Sequence, residues 1–101
     1  ALPHITAVVC FTDVVAYGAI AQAQQLGIQI GTDMAFVGFD DLDDSALLNP
    51  ALSSVRICAK QLGEAINSTL AKMLKGEAVP AITRVPVSLA IRASSAKPRI
   101  N

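Results

Sequence analysis

The sequence predicts an α/β fold with a parallel sheet, because two apolar runs are separated by one helical segment. Residues 6–11 (TAVVCF) and 34–39 (MAFVGF) lack polar alternation, which is typical of strands covered on both faces. Residues 14–26 between them are rich in alanine, a strong helix former. Strand, helix and strand form a βαβ unit, whose right-handed crossover makes the two strands parallel.

Polar residues and glycines mark the ends of this first helix. Thr12 and Asp13 are N-cap candidates, because their side-chain oxygens can accept the free N–H groups of a first turn. Gly27 fits the position after the last helical residue, where a left-handed backbone is common. Gly18 in the helix interior costs about 1 kcal/mol relative to alanine. The sequence therefore predicts that Gly18 packs closely against a neighbouring backbone.

The second half of the chain predicts a loop, a short strand and a long helix. Residues 41–49 form a connecting stretch with one helical turn at 45–48, and residues 53–57 are extended. A helix is expected over residues 59–75, ended by Gly76. One stripe of that helix is apolar, as an amphipathic helix requires: Leu62, Ile66, Leu70, Met73 and Leu74.

The C-terminal segment predicts a last strand followed by a tail. Residues 85–92 (VPVSLAIR) alternate in polarity, which favours a strand, and Pro86 makes an edge position most compatible with sheet hydrogen bonding. Residues 93–101 are predicted to be a frayed tail.

Composition limits both the size and the partners of the protein. A chain of 101 residues suffices for one small domain. Charged residues make up 16%, against about 25% in average proteins. We therefore expect a partner subunit, or the remainder of a longer polypeptide, to cover some apolar surface. Eight basic and eight acidic residues cancel, so no net field attracts nucleic acid or membranes.

The cysteines and the N-terminal residues bear on the cellular compartment. Cys10 and Cys58 lie in apolar contexts without CxxC spacing, so the sequence predicts reduced, buried thiols in a cytoplasmic protein. No apolar run reaches the roughly 20 residues of a membrane span. Residues 1–4 have no signal-peptide features and predict a chain already in progress.

Asp40 is the first candidate site residue, because it directly follows the second apolar strand. Ligands of open α/β sheets bind beyond the carboxyl ends of the strands, so Asp40 is expected to accept hydrogen bonds from a polar ligand. The alternative is that Asp40 and the acidic residues after it are ordinary loop and helix-cap residues.

Neither a metal site nor an enzyme is expected. An EF-hand loop begun at Asp41 would need glycine at its sixth and glutamate at its twelfth position. Ala46 and Leu52 stand there, which removes calcium. The only histidine, His4, is remote from any serine elbow, and no phosphate-binding loop is present. The sequence thus predicts no catalytic residues and no cofactor.

Five segments occur in an order that resembles the C-terminal part of LacI/GalR-type bacterial transcription regulators. Between Thr6 and Ser95 they are TAVVCFTDVVAYGAI, GTDMAFVGFDD, NPALSSVR, LGEAI and VPVSLAIRASS. The resemblance implies that this chain is roughly the last third of such a regulator and belongs to its effector domain, which has a type I periplasmic-binding-protein-like fold. Such regulators also carry an N-terminal helix-turn-helix domain that binds operator DNA.

The resemblance also implies how this chain is divided between two lobes. About residues 1–52 and 85–95 would belong to the C-terminal lobe, and about residues 56–80 to the N-terminal lobe. A small metabolite such as a sugar or nucleoside would bind in the cleft between the lobes and change operator affinity. The protein would be a cytoplasmic homodimer without membrane association.

Site residues follow from the resemblance residue by residue. Asp40 matches an effector-binding aspartate. Thr12 takes the place of a frequent ligand-binding asparagine, and its hydroxyl lacks the paired donor and acceptor of an amide. Asp13 matches an aspartate expected to cap the helix.

A dimer interface is implied for Tyr17 and the segment from Asp44 to Leu48. Taken by itself, Tyr17 is expected to be a packing residue. Leu47 and Leu48 stand in an otherwise acidic loop, so they are either packed or part of an exposed apolar patch.

A periplasmic sugar-binding protein of an ABC transporter has the same fold and is the alternative function. The NPALSSVR and VPVSLAIR segments favour the regulator.

Overall fold

The predicted α/β fold with a parallel sheet is confirmed. A computed structural model describes residues 4–95. In chain order its elements are β1 (Ala7–Val9), α1 (Asp13–Gln25), β2 (Ala35–Phe39), a 3₁₀ turn (Asp43–Ala46), β3 (Ser53–Ile57), α2 (Ala59–Leu74) and β4 (Val87–Ala90). The sheet order is β1-β2-β3-β4, and β2 pairs in parallel with both β1 and β3.

The register of the sheet brings two strand ends to the same edge. Val9 lies opposite Val37, and Phe39 lies opposite Val55. One further backbone hydrogen bond extends the pairing from Asp40 N to Val55 O, 3.0 Å. The chain therefore leaves β1 and β2 at neighbouring positions of the carboxyl edge, where ligands of such sheets bind.

The chain divides into two compact units. Residues 4–56 with 89–95 form one unit, which contains β1, α1 and β2. Residues 57–88 form the other, which contains α2.

A small core holds the first unit together. Ala16, Ile20 and Ala23 recur at helical spacing on the buried side of α1. They form one cluster with Cys10 of the turn after β1, Phe36 of β2 and Leu52 before β3. The small side chains of α1 permit a close approach of helix to sheet.

β1 is more exposed than the sequence predicts. Ala7 and Val9 are exposed, Val9 by 80%, and only Val8 is partly buried. Burial alternates along β1 because one face packs on the core while the other face is open among residues 4–95. The prediction of a strand covered on both faces is therefore wrong for this chain.

The prediction for Gly18 is also wrong, because a Cβ added there would meet no atom within 4 Å. The close approaches occur at two other glycines. A Cβ on Gly38 would overlap Asp13 Oδ1, and one on Gly31 would overlap the carbonyl oxygen of Ala93. Gly31 also has φ +89°, which L-residues with a side chain rarely adopt.

The predicted tail is wrong for residues 93–95, while residues 96–101 lie outside the described part. Ser94 is fully buried. Its backbone N–H donates to Ala51 O and its backbone carbonyl accepts from Phe36 N, both at 3.0 Å. Its hydroxyl donates to Phe36 O at 2.6 Å and accepts from Ser53 N at 2.8 Å. Ser94 therefore ties the end of the chain to β2 and β3.

The second unit exposes the apolar stripe of α2. No residue of α2 is buried. Leu62, Ile66 and Met73 line an open groove of about 360 Å³, whose other side is formed by residues 80–85. β4 begins after Pro86 and is last in the sheet order, as an edge strand should be.

The two cysteines differ in exposure. Cys10 is buried, as expected, and burial raises the pKa of its thiol. Cys58 is exposed, which corrects the prediction of a buried thiol. Cys58 directly precedes α2, which itself is exposed. Among residues 4–95, no helix has both the length and the apolar character needed to cross a membrane.

Candidate functional site

A cleft of about 520 Å³ opens at the carboxyl edge of β1 and β2. Thr12 and Asp40, the two polar residues proposed from the sequence, both line it. The rest of the lining is largely apolar and comes from the ends of the same two strands: Val9, Cys10, Phe11 and Phe39. The structure thus brings together two side chains that are far apart in sequence.

Thr12 is the N-cap of α1. Its backbone is extended, with φ −143° and ψ 166°, and its Oγ1 accepts a hydrogen bond from Val15 N at 3.3 Å. The hydroxyl proton is not used in this contact, so Thr12 can still donate one hydrogen bond into the cleft. The free N–H groups of the first turn of α1 add a partial positive charge here.

Asp40 lies at the cleft and has an unusual backbone conformation. Its φ is +106°, and it is exposed at the cleft. Its backbone N–H bonds to Val55 O, whereas no partner for its carboxylate is found among residues 4–95. A non-glycine residue at such a φ costs of order 1–3 kcal/mol and persists only where the surrounding structure imposes it. The carboxylate is therefore held at the cleft and available to accept hydrogen bonds.

Asp13 does not cap the helix, which corrects the sequence prediction. Thr12 occupies the cap, and Asp13 is the first helical residue, with a fully buried side chain. Its Oδ2 accepts from Leu42 N at 2.8 Å and Ser45 Oγ at 2.5 Å. Its Oδ1 accepts from Ser54 Oγ at 2.6 Å. Asp13 thus fastens α1 to β3 and to the loop after β2, close behind the cleft.

Tyr17 and Leu48 are largely packing residues. Tyr17 is half-buried against the core, and its hydroxyl is 2.7 Å from Ser45 Oγ. Leu48 also packs against the core. Leu47 is 81% exposed, and Asp44 is exposed beside it. Because the 3₁₀ turn directs Leu47 outward and Leu48 inward, the apolar patch predicted from both leucines consists of Leu47 alone.

Asp41 has a role that the sequence reading missed. Its Oδ2 lies 2.7 Å from Arg56 Nε, and its Oδ1 lies 2.8 Å from Arg92 Nη1. The second contact is an ion pair without hydrogen-bond geometry at Oδ1. Contact with Arg92 lowers the pKa of Asp41 most, burial acts in the opposite direction, and Arg56 adds to the lowering. No sequence pattern links three residues so widely separated.

The acidic loop does not form a cation site in the described part of the chain. Asp41 is engaged by two arginines, while Asp43 and Asp44 are exposed on the 3₁₀ turn. Among residues 4–95, no three His, Cys, Asp or Glu side chains are grouped as ligands of one metal ion.

Comparison with known proteins shows which family this chain resembles. Residues 1–95 match the family model of the periplasmic binding protein-like domain. The transcriptional regulator MalR of Streptomyces coelicolor is 41% identical over 75 residues, which are 74% of this chain and 22% of MalR. The lactose operon repressor of Escherichia coli is 31% identical over 93 residues, which are 92% of this chain and 26% of the repressor.

A solved structure has the same fold. The lac repressor dimer bound to operator and the anti-inducer ONPF superposes with a TM-score of 0.82 at 31% identity. The match covers 89% of this chain and 32% of that one. The chain thus spans about a quarter of the length of the two regulators named above.

Proposed function

Since the chain belongs to the family of periplasmic binding protein-like domains, in the form found in the C-terminal part of LacI/GalR-type regulators, we propose that it is the effector-binding and dimerisation part of a transcription regulator. The relatives reported above are regulators, and neither is named as an enzyme or a transport protein. This favours a repressor over a periplasmic sugar-binding protein.

The observation that carries this proposal is the pairing of Thr12 and Asp40 in one cleft. A carboxylate can accept two or more hydrogen bonds, and a hydroxyl can donate one. Together they suit a ligand with neighbouring hydroxyl groups. Phe11 and Phe39 line the same cleft, and aromatic faces pack well against the apolar side of a ring. A sugar or a nucleoside has both features.

The two compact units fit a two-lobed effector domain. The first unit would belong to the C-terminal lobe, which holds Asp40 and Thr12, and residues 57–88 would belong to the N-terminal lobe. The chain passes between units next to Arg56 and again next to Leu89. A ligand that binds one arrangement of the lobes better than the other shifts their equilibrium by its differential affinity.

Leu47 supports a role in self-association. Its large apolar side chain is 81% exposed beside the exposed Asp44, in the loop that matches a dimer surface of LacI/GalR-type regulators. We assign Leu47 and Asp44 to a homodimer contact, with Tyr17 and Leu48 supporting it from behind. Operator DNA would be bound only by a helix-turn-helix domain outside this chain, and the regulator would act in the cytoplasm.

The test measures ligand and operator binding by the full-length regulator. Lactose, maltose, ribose, cytidine and adenosine are screened by thermal shift, and the compound with the largest shift is titrated by calorimetry. Asp40→Asn should weaken its binding at least ten-fold, since a lost hydrogen bond to a charged group is worth roughly 1.5–3 kcal/mol. Operator affinity without the compound should be unchanged.

Asp43→Asn is the matched control, because Asp43 is an exposed carboxylate on the adjacent turn. Equal binding of the compound by the Asp40→Asn and unaltered proteins would refute the assignment of Asp40.

A further inference from the structure

We propose that Asp41 is a positioning residue for the effector site: anchored by Arg56 and Arg92, it holds the preceding Asp40 in the conformation that presents its carboxylate to the cleft. The inference rests on the proposed function, because it gives Asp41 a role that acts through Asp40.

The anchor is a carboxylate held by two arginines. The side chain of Asp41 is only 10% exposed, and each of its oxygens faces a different guanidinium, at 2.7 and 2.8 Å. Arg92 is itself fixed, because its Nη1 also donates to Leu52 O at 2.7 Å and its backbone N donates to Ser53 Oγ at 2.7 Å. Asp41 is therefore fixed to β3 through Arg56 and to the chain after β4 through Arg92.

The backbone of Asp41 is anchored as well. Its N–H donates to Ser54 Oγ at 2.9 Å, and the same hydroxyl donates onward to Asp13 Oδ1 at 2.6 Å. One serine hydroxyl thus uses both its acceptor and its donor capacity. Because Asp13 is fully buried on α1, this chain of hydrogen bonds links Asp41 to the interior of the first unit.

These anchors explain why two successive non-glycine residues have positive φ angles. Asp40 has φ +106° and Asp41 has φ +52°. A strained backbone of this kind relaxes unless neighbouring contacts oppose it. Asp40 contributes one backbone hydrogen bond, to Val55 O, and its carboxylate has no partner among residues 4–95. Most of the contacts that oppose relaxation of this backbone are therefore made by Asp41.

Asp41 acts through Asp40 and not by contact with the ligand. Asp40 lines the cleft, whereas Asp41 does not. Both carboxylate oxygens of Asp41 already face arginines. A ligand that took either oxygen would leave a guanidinium without its counter-charge, which is costly for the partly buried Arg92.

A double-mutant cycle in the full-length regulator tests this role. Asp40→Asn, Asp41→Asn and the double variant are titrated by calorimetry with the compound chosen from lactose, maltose, ribose, cytidine and adenosine by thermal shift. Asp41→Asn alone should weaken binding about ten-fold. In the Asp40→Asn background it should weaken binding by no more than about two-fold, because residues that act as a unit are not additive.

Two controls separate positioning from a general loss of structure. Asp43→Asn should leave binding of the compound within about two-fold of the unaltered protein. Operator affinity of Asp41→Asn should also stay within about two-fold, because a misfolded effector domain would lower both affinities. The proposal would be overturned if Asp41→Asn lowered the affinity for the compound by the same factor in the unaltered protein and in the Asp40→Asn variant.

Hydrogen exchange tests the anchor without any ligand. The amides of Asp40 and Asp41 should exchange about ten-fold faster in Asp41→Asn than in Asp43→Asn, because local opening becomes easier when the ion pairs are lost. Unchanged exchange would overturn the proposal. If no compound binds, or if Asp40→Asn binds normally, the proposed function fails for this ligand class, and the exchange rates still decide whether Asp41 anchors Asp40.

Discussion

Gly38 of β2 lies directly beneath the carboxylate of Asp13 on α1, so closely that a Cβ on Gly38 would overlap Asp13 Oδ1. The same Cβ would also lie 3.1 Å from Leu52 Cδ2 and 3.2 Å from Asp13 Cα. The carboxylate cannot move away, because it holds Leu42, Ser45 and Ser54 in hydrogen bonds. The absence of a side chain at Gly38 is therefore what lets α1 and its buried aspartate sit against the sheet.

Gly38→Ala is expected to destabilise the protein by about 2 kcal/mol or more, because overpacking at this contact displaces a buried, fully bonded carboxylate. The matched control is Gly18→Ala, at an exposed helical position where a Cβ meets nothing within 4 Å. That change should stabilise by roughly 0.5–1 kcal/mol through helix propensity. Denaturant unfolding of both variants measures the difference, and equal midpoints would contradict the prediction.

Ser94→Ala is expected to lower the free energy of unfolding by about 2–4 kcal/mol. The change removes the hydroxyl that donates to Phe36 O and accepts from Ser53 N. Two buried backbone groups then lack a hydrogen-bond partner, and each such group costs about 1–3 kcal/mol of stability. Ser88→Ala on the exposed face of β4 is the control and should change stability by less than about 0.5 kcal/mol. Thermal melts would disprove this if the two variants lost stability equally.

Because of Asp41, the free energy of unfolding should depend on pH in the acid range. Its pKa is lowered in the folded protein from an ordinary value of 3.8. As the pH falls, Asp41 is therefore protonated at a higher pH in the unfolded chain than in the folded protein. The stabilisation by Asp41 is fully present above the unfolded pKa of 3.8 and is lost as the pH falls through the folded pKa. Asp41→Asn should be less stable than the unaltered protein at pH 7, and the gap should narrow below about pH 4. A gap independent of pH would count against the ion pairs.

Leu47→Glu is expected to weaken self-association of the full-length regulator at least ten-fold, because burying an unpaired charge at an interface is costly. Leu26→Glu is the matched control, since Leu26 is also an exposed leucine, 69% exposed at the end of α1. Sedimentation over a range of concentrations measures both dissociation constants. The interface assignment is refuted if Leu47→Glu dimerises as tightly as the control.

The elements that were predicted best are those with a local signal. The two predicted terminal glycines follow the helices as expected: Gly27, with φ +80°, comes after the C-cap of α1, and Gly76, with φ +76°, comes after the C-cap of α2. β3 has the predicted bounds, Ser53–Ile57. Helical periodicity, terminal glycines and short extended runs are properties of neighbouring residues, so they can be read without knowledge of the fold.

The errors concern residues whose environment is made by distant segments. The sequence predicts a close contact at Gly18, whereas that contact occurs at Gly38. It predicts that Asp13 is a cap, whereas Asp13 is a buried hydrogen-bond acceptor. The sequence places Ser94 in a tail, whereas its hydroxyl joins β2 to β3. In each case the contacting residue is far away along the chain, so no local sequence pattern predicts the contact.

The sequence is sufficient to predict the βαβ order, the position of Asp40 beyond a strand and the family. These depend on local periodicity and on motifs in a fixed order. Three features are visible only in the folded protein: Thr12 and Asp40 line one cleft, Thr12 and not Asp13 caps α1, and Asp41 lies between Arg56 and Arg92. The reason is physical: parallel strands bring distant segments side by side, and the contacts between them depend on register and packing, which have no period along the chain.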